Sequence, residues 1–242
     1  MKAILCGANG AMGKRISALL GEEIIGRVSL DGENETPRTF SELGLMECDV
    51  LLDFSHHTAV TDVLDYAKKV GCAVVIGATG HTTEEKALIR DTARLIPVFY
   101  GGNVSLGIAV LCRLVKQAAA FFPDADIEIL ETLNSQQTDA PGATAMMLYN
   151  VIKEVRPQAW PNSGRSGEIK RTPEEVGIHS LRMGSLAGIH EVHIHAGSQC
   201  LTLKHEATSP DSLAEGAAAA ARFMLGKGRG LYDMESLLNE KK

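Results

Sequence analysis

Along the first hundred residues, short apolar runs alternate with longer stretches in which apolar side chains recur every three or four positions. The runs begin at Lys2 and continue with Glu23 to Leu30, Asp49 to Phe54, Cys72 to Ile76 and Pro97 to Tyr100, each closed by Gly, Asp, Ser or Asn. Their length and β-branched content predict buried strands. Between them, Lys14 to Leu20 and Val60 to Val70 carry a helical period, and Thr82 or Thr83 caps a helix that opens with Glu84 and Glu85. Regular strand–helix alternation predicts an α/β unit, a doubly wound parallel sheet covered on both faces.

Beyond Ser105 the pattern changes. Ile108 to Phe122 and Thr144 to Val155 read as helices, and Asp126 to Glu131 as a strand. Glu175 to Leu181, Glu191 to His195 and Cys200 to His205 then follow as strands without helices between them. This predicts a second, α+β unit built on one open, mixed and mostly antiparallel sheet. An alanine-rich helix, Ser212 to Leu225, and the segment Gly230-Leu-Tyr-Asp-Met return the chain to the first unit. The expected division is 1–104 with 211–242, and 105–210. No internal repeat or low-complexity linker interrupts it.

Composition narrows the classes. With 242 residues, 45% hydrophobic and 22% charged, the chain suits one large or two small globular domains. Its net charge of −6 is interspersed, so no basic stripe addresses a nucleic acid. The five cysteines are odd in number and widely spaced, which fits reduced thiols and a cytoplasmic setting. A first strand starting at Lys2 leaves no room for a secretory leader. The uncharged stretch from Leu95 onward is broken by Pro97, Asn103 and glycines, so no membrane span is expected.

Candidate chemistry begins at the first turn. Gly7-Ala-Asn9-Gly10-Ala11-Met12-Gly13 lies between a strand and a helix, a variant dinucleotide fingerprint. Gly7 permits the tight turn, Gly10 lets the backbone approach a pyrophosphate, and Gly13 allows close helix–strand packing. An ordinary glycine-rich turn is the bland alternative. Asp31, about 20 residues on, is the candidate ribose ligand and favours NADH over NADPH. Asp31-Gly32 is equally a common turn pair, and Arg38 can fold back to receive a phosphate. Phe54, Ser55, Gly77, Ala78, Thr79 and Asn103 sit at the carboxyl ends of predicted strands, where ligands of such sheets bind. Together they read as one cofactor rim.

These motifs, with Asp53-Phe-Ser-His, Asn103-Val-Ser-Leu-Gly, Asp139-Ala-Pro, Gly177-Ile-His-Ser-Leu-Arg and Gly230-Leu-Tyr-Asp-Met, resemble the dihydrodipicolinate reductase family over almost the whole chain. The resemblance implies a Rossmann-like dinucleotide-binding domain from both chain ends and a central substrate-binding and oligomerisation domain. It also implies NADH or NADPH, a homotetramer, and reduction of 4-hydroxy-tetrahydrodipicolinate, a small carboxylate of the lysine (diaminopimelate) pathway.

The departures are concentrated in one segment, with one more at Ile189, where many relatives have the glutamate of a Gly-Glu-His triplet. The family motif runs Glu-x-His-His-x-x-Lys-x-Asp-Ala-Pro-Ser-Gly-Thr-Ala; here Leu133 and Asn134 stand at the histidine positions, Gln137 at the lysine, and Gly142 and Ala143 at Ser-Gly. None of Leu133, Asn134 or Gln137 is an acid, and in the family the first histidine is the proposed proton donor. Gly142, Ala143 and Thr144, at a helix start, remain able to bind one carboxylate. A changed imine or unsaturated-acid substrate, or a non-catalytic nucleotide-binding role, therefore stays open beside the family reaction.

Other polar residues are read more plainly. His56 and His57 are taken as structural, and His179, His190, His193 and His195 as solvated or interface-facing, with no metal site. Arg165, Lys170, Arg171 and Arg182 could bind a carboxylate but are read first as solvated charges.

Overall fold

The computed structural model describes residues 1–33 and 36–240. It divides into two compact units, Met1–Leu106 with Asp211–Lys242, and Gly107–Pro210. The last two residues of the expected 211–242 segment lie outside the described residues.

The first unit holds strands β1 (Ala3–Cys6), β2 (Ile24–Val28), β3 (Val50–Asp53), β4 (Ala73–Ile76), β5 (Pro97–Tyr100) and β11 (Gly230–Tyr232). They form one all-parallel sheet in the order β11-β5-β4-β3-β1-β2. Helices α1 (Ala11–Leu20), α2 (Phe40–Leu43), α3 (Val60–Val70), α4 (Thr83–Thr92), α7 (Asp211–Met224) and α8 (Met234–Glu240) belong to the same unit. Every residue of β1, β3 and β4 is buried, as a sheet covered on both sides requires. Side-chain alternation divides the core: Ile4, Leu51, Val74 and Val98 join α3 and α4 residues such as Val63, Leu64 and Ile89 in one cluster. Leu5, Leu52, Val75 and Phe99, fully buried, point the other way. The chain leaves β1 for β2 on one side and returns to β3 on the other, so a topological switch point lies at the carboxyl ends of β1 and β3.

Helix starts follow local rules. Thr82, rather than Thr83, caps α4, and Glu85 completes a capping box by accepting from the Thr82 amide. The alanine-rich α7 lies against α1 and β4, and its small residues allow the approach. A Cβ on Gly216 would stand 1.8 Å from the Val104 carbonyl oxygen.

The second unit carries α5 (Leu106–Phe121, whose first residue falls in the first unit), β6 (Asp126–Leu133), α6 (Ala143–Val155), β7 (Trp160–Asn162), β8 (Glu175–Arg182), β9 (Ile189–Ala196) and β10 (Gln199–Glu206). Its sheet runs β10-β9-β6-β8-β7. The sheet is mixed, as the strand run predicts. β9–β10 and β6–β9 are antiparallel, while β6–β8 and β7–β8 are parallel. Successive strands β8 and β9 are not neighbours because β6 lies between them, which converts an expected antiparallel pairing into a parallel one. Ile127, Ile129, Val176, Ile178, Val192 and Ile194 pack on α5 and α6. The opposite face is polar: the Glu128 carboxylate bonds to Arg171 and, at 2.9 Å, to His179.

Among the described residues no helix is long and apolar enough to cross a membrane. Substituting Gly216→Ala should lower unfolding free energy by about 1–3 kcal/mol, because a methyl group meets backbone rather than a movable side chain. Urea denaturation measures it, and a loss under about 0.5 kcal/mol would contradict this packing.

Candidate cofactor and substrate sites

The turn between β1 and α1 is closed by backbone. Gly7, at φ +82°, donates to the Val28 carbonyl at 2.8 Å, and Gly10 donates to the Gly7 carbonyl at 3.1 Å. A Cβ on Gly7 would come within 2.6 Å of the Phe54 carbonyl oxygen, and one on Gly13 within 2.1 Å of the Gly7 carbonyl oxygen. Only glycine fits at either place. Gly10 differs: a Cβ there would meet only the Gly7 oxygen, at 3.3 Å, so this side of the turn is open. Gly10 caps α1 without any side-chain hydrogen bond, leaving the first-turn amides of Ala11, Met12 and Gly13 with no side chain competing for them. An open cradle lined by amides at a helix N-terminus suits a pyrophosphate.

The remaining rim residues gather at the same edge. Phe54 lies over Gly77, whose Cβ would strike the ring at 2.2 Å, and the Thr79 methyl group stands 3.2 Å from where a Gly102 Cβ would be. Ala78 is buried and donates to the Asp53 carbonyl. Asn103 accepts from the Ser105 amide at 2.9 Å, fixing the turn beyond β5. Ser55 is turned inward: its hydroxyl donates to Asp53 at 2.5 Å. Burial raises the Asp53 pKa and, with Asp53 alongside, pushes the Cys6 thiol up to about 12.

Asn9 and Asp31 bind each other. The Asn9 amide donates to the Asp31 carboxylate at 2.6 Å and to the Glu33 carbonyl at 3.0 Å, tying the glycine turn to the loop after β2. The Asn9 bond and the Glu33 amide hold the Asp31 pKa below its usual value, so the carboxylate is charged. Arg38 does fold back. Its side chain crosses Gly32 so closely that a Cβ there would meet Nε at 2.3 Å.

In the second unit, the segment that departs from the family motif is held by a buried carboxylate. Glu131, fully buried on β6, accepts through Oε1 from Ser180 Oγ at 2.7 Å, Arg182 Nη2 at 2.8 Å and the Gly142 amide at 2.9 Å. Arg182 also donates to the Asp139 carbonyl, so one charge pair fixes the 139–142 end of the loop. Asn134 accepts from the Gln136 amide at 3.0 Å, and Gln137 donates to the Asp139 carboxylate. Both amides serve the loop itself. α6 begins at Ala143 with Gly142 as its cap and no side-chain cap bond, and Thr144 lies half-buried in its first turn.

Leu133 explains the other atoms of this cluster. Its methyl carbons lie 3.2 Å from the Cβ positions of both Gly142 and Gly188. Beside it, Glu131 Oε2, Arg182 Nε and both His190 ring nitrogens are buried without hydrogen bonds, with His190 Nε2 3.9 Å from Glu131 Oε2. An apolar side chain thus lies among polar atoms that have no hydrogen bond.

The expectation of solvated or interface-facing histidines therefore fails at His190, which β9 turns into the interior. Three of the four basic residues are not solvated charges either: Arg165, Arg171 and Arg182 are paired with Glu175, with Asp126 and Glu128, and with Glu131. The signal for Glu131 was weak, since β6 carries Asp126 and Glu128 as well. Its side-chain partners, 49 to 59 residues away, carried none. Among the described residues no group of three or more His, Cys, Asp or Glu is arranged for a metal.

A parallel sheet with an open glycine turn at its switch point defines a dinucleotide-binding class of domain. Family models described as dihydrodipicolinate reductase, N-terminus and C-terminus, match residues 1–104 and 107–238. The 4-hydroxy-tetrahydrodipicolinate reductases of Clostridium tetani and Clostridium novyi are each 36% identical over 99% of this chain, covering 97% and 99% of their own lengths. In fold, the chain is similar to a dipicolinate-bound dihydrodipicolinate reductase from Paenisporosarcina sp. TG-14, with TM-score 0.77, 22% identity and 96% of both chains covered. An amine dehydrogenase from Mycobacterium smegmatis is a more distant neighbour, with TM-score 0.62, 13% identity and 97% and 94% covered. The chain belongs to the dihydrodipicolinate reductase family.

Burial, opposed by the neighbouring Glu131 charge, pushes His190 down to about 4 from 6.5. The folded protein keeps it neutral while the unfolded chain takes up a proton, so its stability contribution is present above the unfolded value and is lost as pH falls from about 6.5 toward 4. At about 1.4 kcal/mol per unit, the loss is bounded near 3 kcal/mol. Denaturation at pH 7 and 4.5 should show a smaller decline in His190→Phe than in the wild type; equal declines would refute the assignment.

Proposed function

We propose that this chain is an NAD(P)H-dependent reductase that converts 4-hydroxy-tetrahydrodipicolinate to tetrahydrodipicolinate. The observation that carries the reading is the open Gly7–Gly13 cradle in a chain matched end to end by reductases of that name. Gly7, Gly10 and Gly13 with the amides of Ala11 and Met12 would hold the pyrophosphate. Asp31 would take the ribose, and Phe54, Ser55, Gly77, Ala78, Thr79 and Asn103 would frame the nicotinamide. When bound, the cofactor supplies a hydride. Asn9 serves this site as a strut, since its amide is spent on Asp31 and Glu33.

Gly142, Ala143 and Thr144 would bind a substrate carboxylate at the α6 N-terminus, with Glu131 and Arg182 fixing that end of the helix. Elimination of the 4-hydroxyl as water leaves a conjugated imine, which then takes one hydride and one proton. The domain roles follow: 1–104 with 211–242 for the dinucleotide, 105–210 for substrate and assembly. The family likeness adds a homotetramer and a cytoplasmic setting. A second reading, a different cyclic imine or unsaturated acid, is favoured by one observation: Leu133 lines the segment where relatives carry an acid.

On cofactor choice, Asp31 favours NADH, while Arg38 across Gly32 places a cation for a 2′-phosphate. Fluorescence titration should give micromolar binding of both, with Arg38→Ala weakening NADPH about tenfold and NADH little. Equal effects on the two would remove Arg38 from the site. Wild-type protein given freshly generated 4-hydroxy-tetrahydrodipicolinate should oxidise NADH, and no oxidation of either nucleotide would overturn the proposal. The triple variant Leu133→His, Asn134→His, Gln137→Lys should raise that rate tenfold or more, at the low end of what a placed acid contributes. Ordinary wild-type rates would dismiss the second reading.

A further inference from the structure

Imine reduction needs a proton donor, and the 134–139 loop holds no imidazole or ammonium group. A carboxylate–imidazole pair stands instead at the carboxyl edge of the parallel sheet. His57, in the 3₁₀ turn His57–Ala59 after β3, places Nδ1 3.0 Å from both oxygens of Glu85 in the first turn of α4. Its ring lies on the segment after β4: Cδ2, bonded to Nε2, is 3.6 Å from where a Gly80 Cβ would stand. Gly80 adjoins Thr79, so this imidazole is continuous with the rim formed by Phe54, Gly77 and Thr79.

The arrangement has the features of a proton donor. The bond to Glu85 engages Nδ1 and leaves Nε2 as the outward nitrogen, with no hydrogen-bond partner among the described residues. His57 is about one quarter exposed (25%), so water can restore a lost proton. The His57 bond holds the Glu85 pKa below its usual range, so the imidazole faces a charged carboxylate.

Charges from each packed element are accounted for. Lys86 and Arg90 lie on α4, Tyr100 ends β5, and His56 adjoins on the same segment, its ring 4.2 Å away. His81, with its ring 6.3 Å from His57, is 5% exposed and has both nitrogens unpartnered. Burial lowers the His81 pKa, so a second imidazolium does not compete for Glu85.

We propose that His57, oriented by Glu85, gives the proton that accompanies hydride transfer in the proposed reductase reaction. The two electrons arrive with the hydride from the reduced nicotinamide, the His57 Nε2 proton goes to the other end of the conjugated imine, and the resulting neutral imidazole takes a proton from water. This rests on the reductase reading above. Glu85 is a positioning residue that acts through His57.

Histidine-labelled NMR on the protein without nucleotide tests the pair independently of turnover. Glu85→Gln, which retains an acceptor for the α4 cap, should move the His57 Nδ1 nitrogen resonance by replacing a charged acceptor with a neutral one; an unmoved resonance would overturn the pairing. In turnover assays, His57→Ala should lose about 100-fold in kcat, keep its NADH Kd within about twofold, and regain rate with added imidazole. His56→Asn should stay near the wild-type rate. Unchanged kcat in His57→Ala, or a loss that imidazole does not restore, would overturn the donor role. Absence of wild-type turnover would instead strike the reductase reading, leaving the NMR result to stand.

Discussion

Two hydrogens set the geometry of the first unit. Where other residues carry a β-carbon, Gly7 and Gly13 carry only hydrogen, and the backbone uses that space. α1 therefore closes on β1 to near carbonyl contact, and the turn lies against the Phe54 carbonyl at the end of β3. Everything on the rim inherits this placement. The Asn9 bridge to Asp31, the Phe54 ring over Gly77 and the approach of Thr79 to Gly102 are successive contacts outward from one crowded point. Gly10 alone faces open space, so the same turn that is over-determined on one side offers amides on the other.

The second unit is organised around a charge. Glu131 is removed from water completely, which is costly for a carboxylate without partners, and three donors to one oxygen offset that cost. They come from β8 and the α6 cap, so the pair with Arg182 joins sheet, loop and helix. The other oxygen, and the histidine facing it, have no hydrogen bond. Leu133 lies beside them, its methyl carbons against Gly142 and Gly188.

Strand and helix periods were legible because a parallel sheet buried on both faces writes itself as unbroken apolar runs. The glycine spacing was legible because steric exclusion leaves one residue type. Observed strand ends differ from expectation mainly by a residue or two, with β6 extending to Leu133 and β9 starting at Ile189. Short elements were not foreseen: α2, β7 and α8 are too brief to show a period. The order of the second sheet was hidden as well, since nothing local to β8 or β9 states that β6 will lie between them. Long-range polar pairs were least visible. His57 and Glu85 are 28 residues apart, and a loop histidine near a helix start looks ordinary until the fold brings the two together.

The parallel sheet is also finished late. Its outer strand β11 and the covering helix α7 are supplied by residues after 210, while β5 is complete by residue 100. During vectorial synthesis the growing chain must hold an unpaired strand edge, and the apolar sheet face later covered by α7, while about another hundred residues are made. Folding of this unit is therefore tied to completion of the polypeptide, and fragments ending before Asp211 inherit a sticky, uncapped intermediate instead of an autonomous nucleotide-binding module.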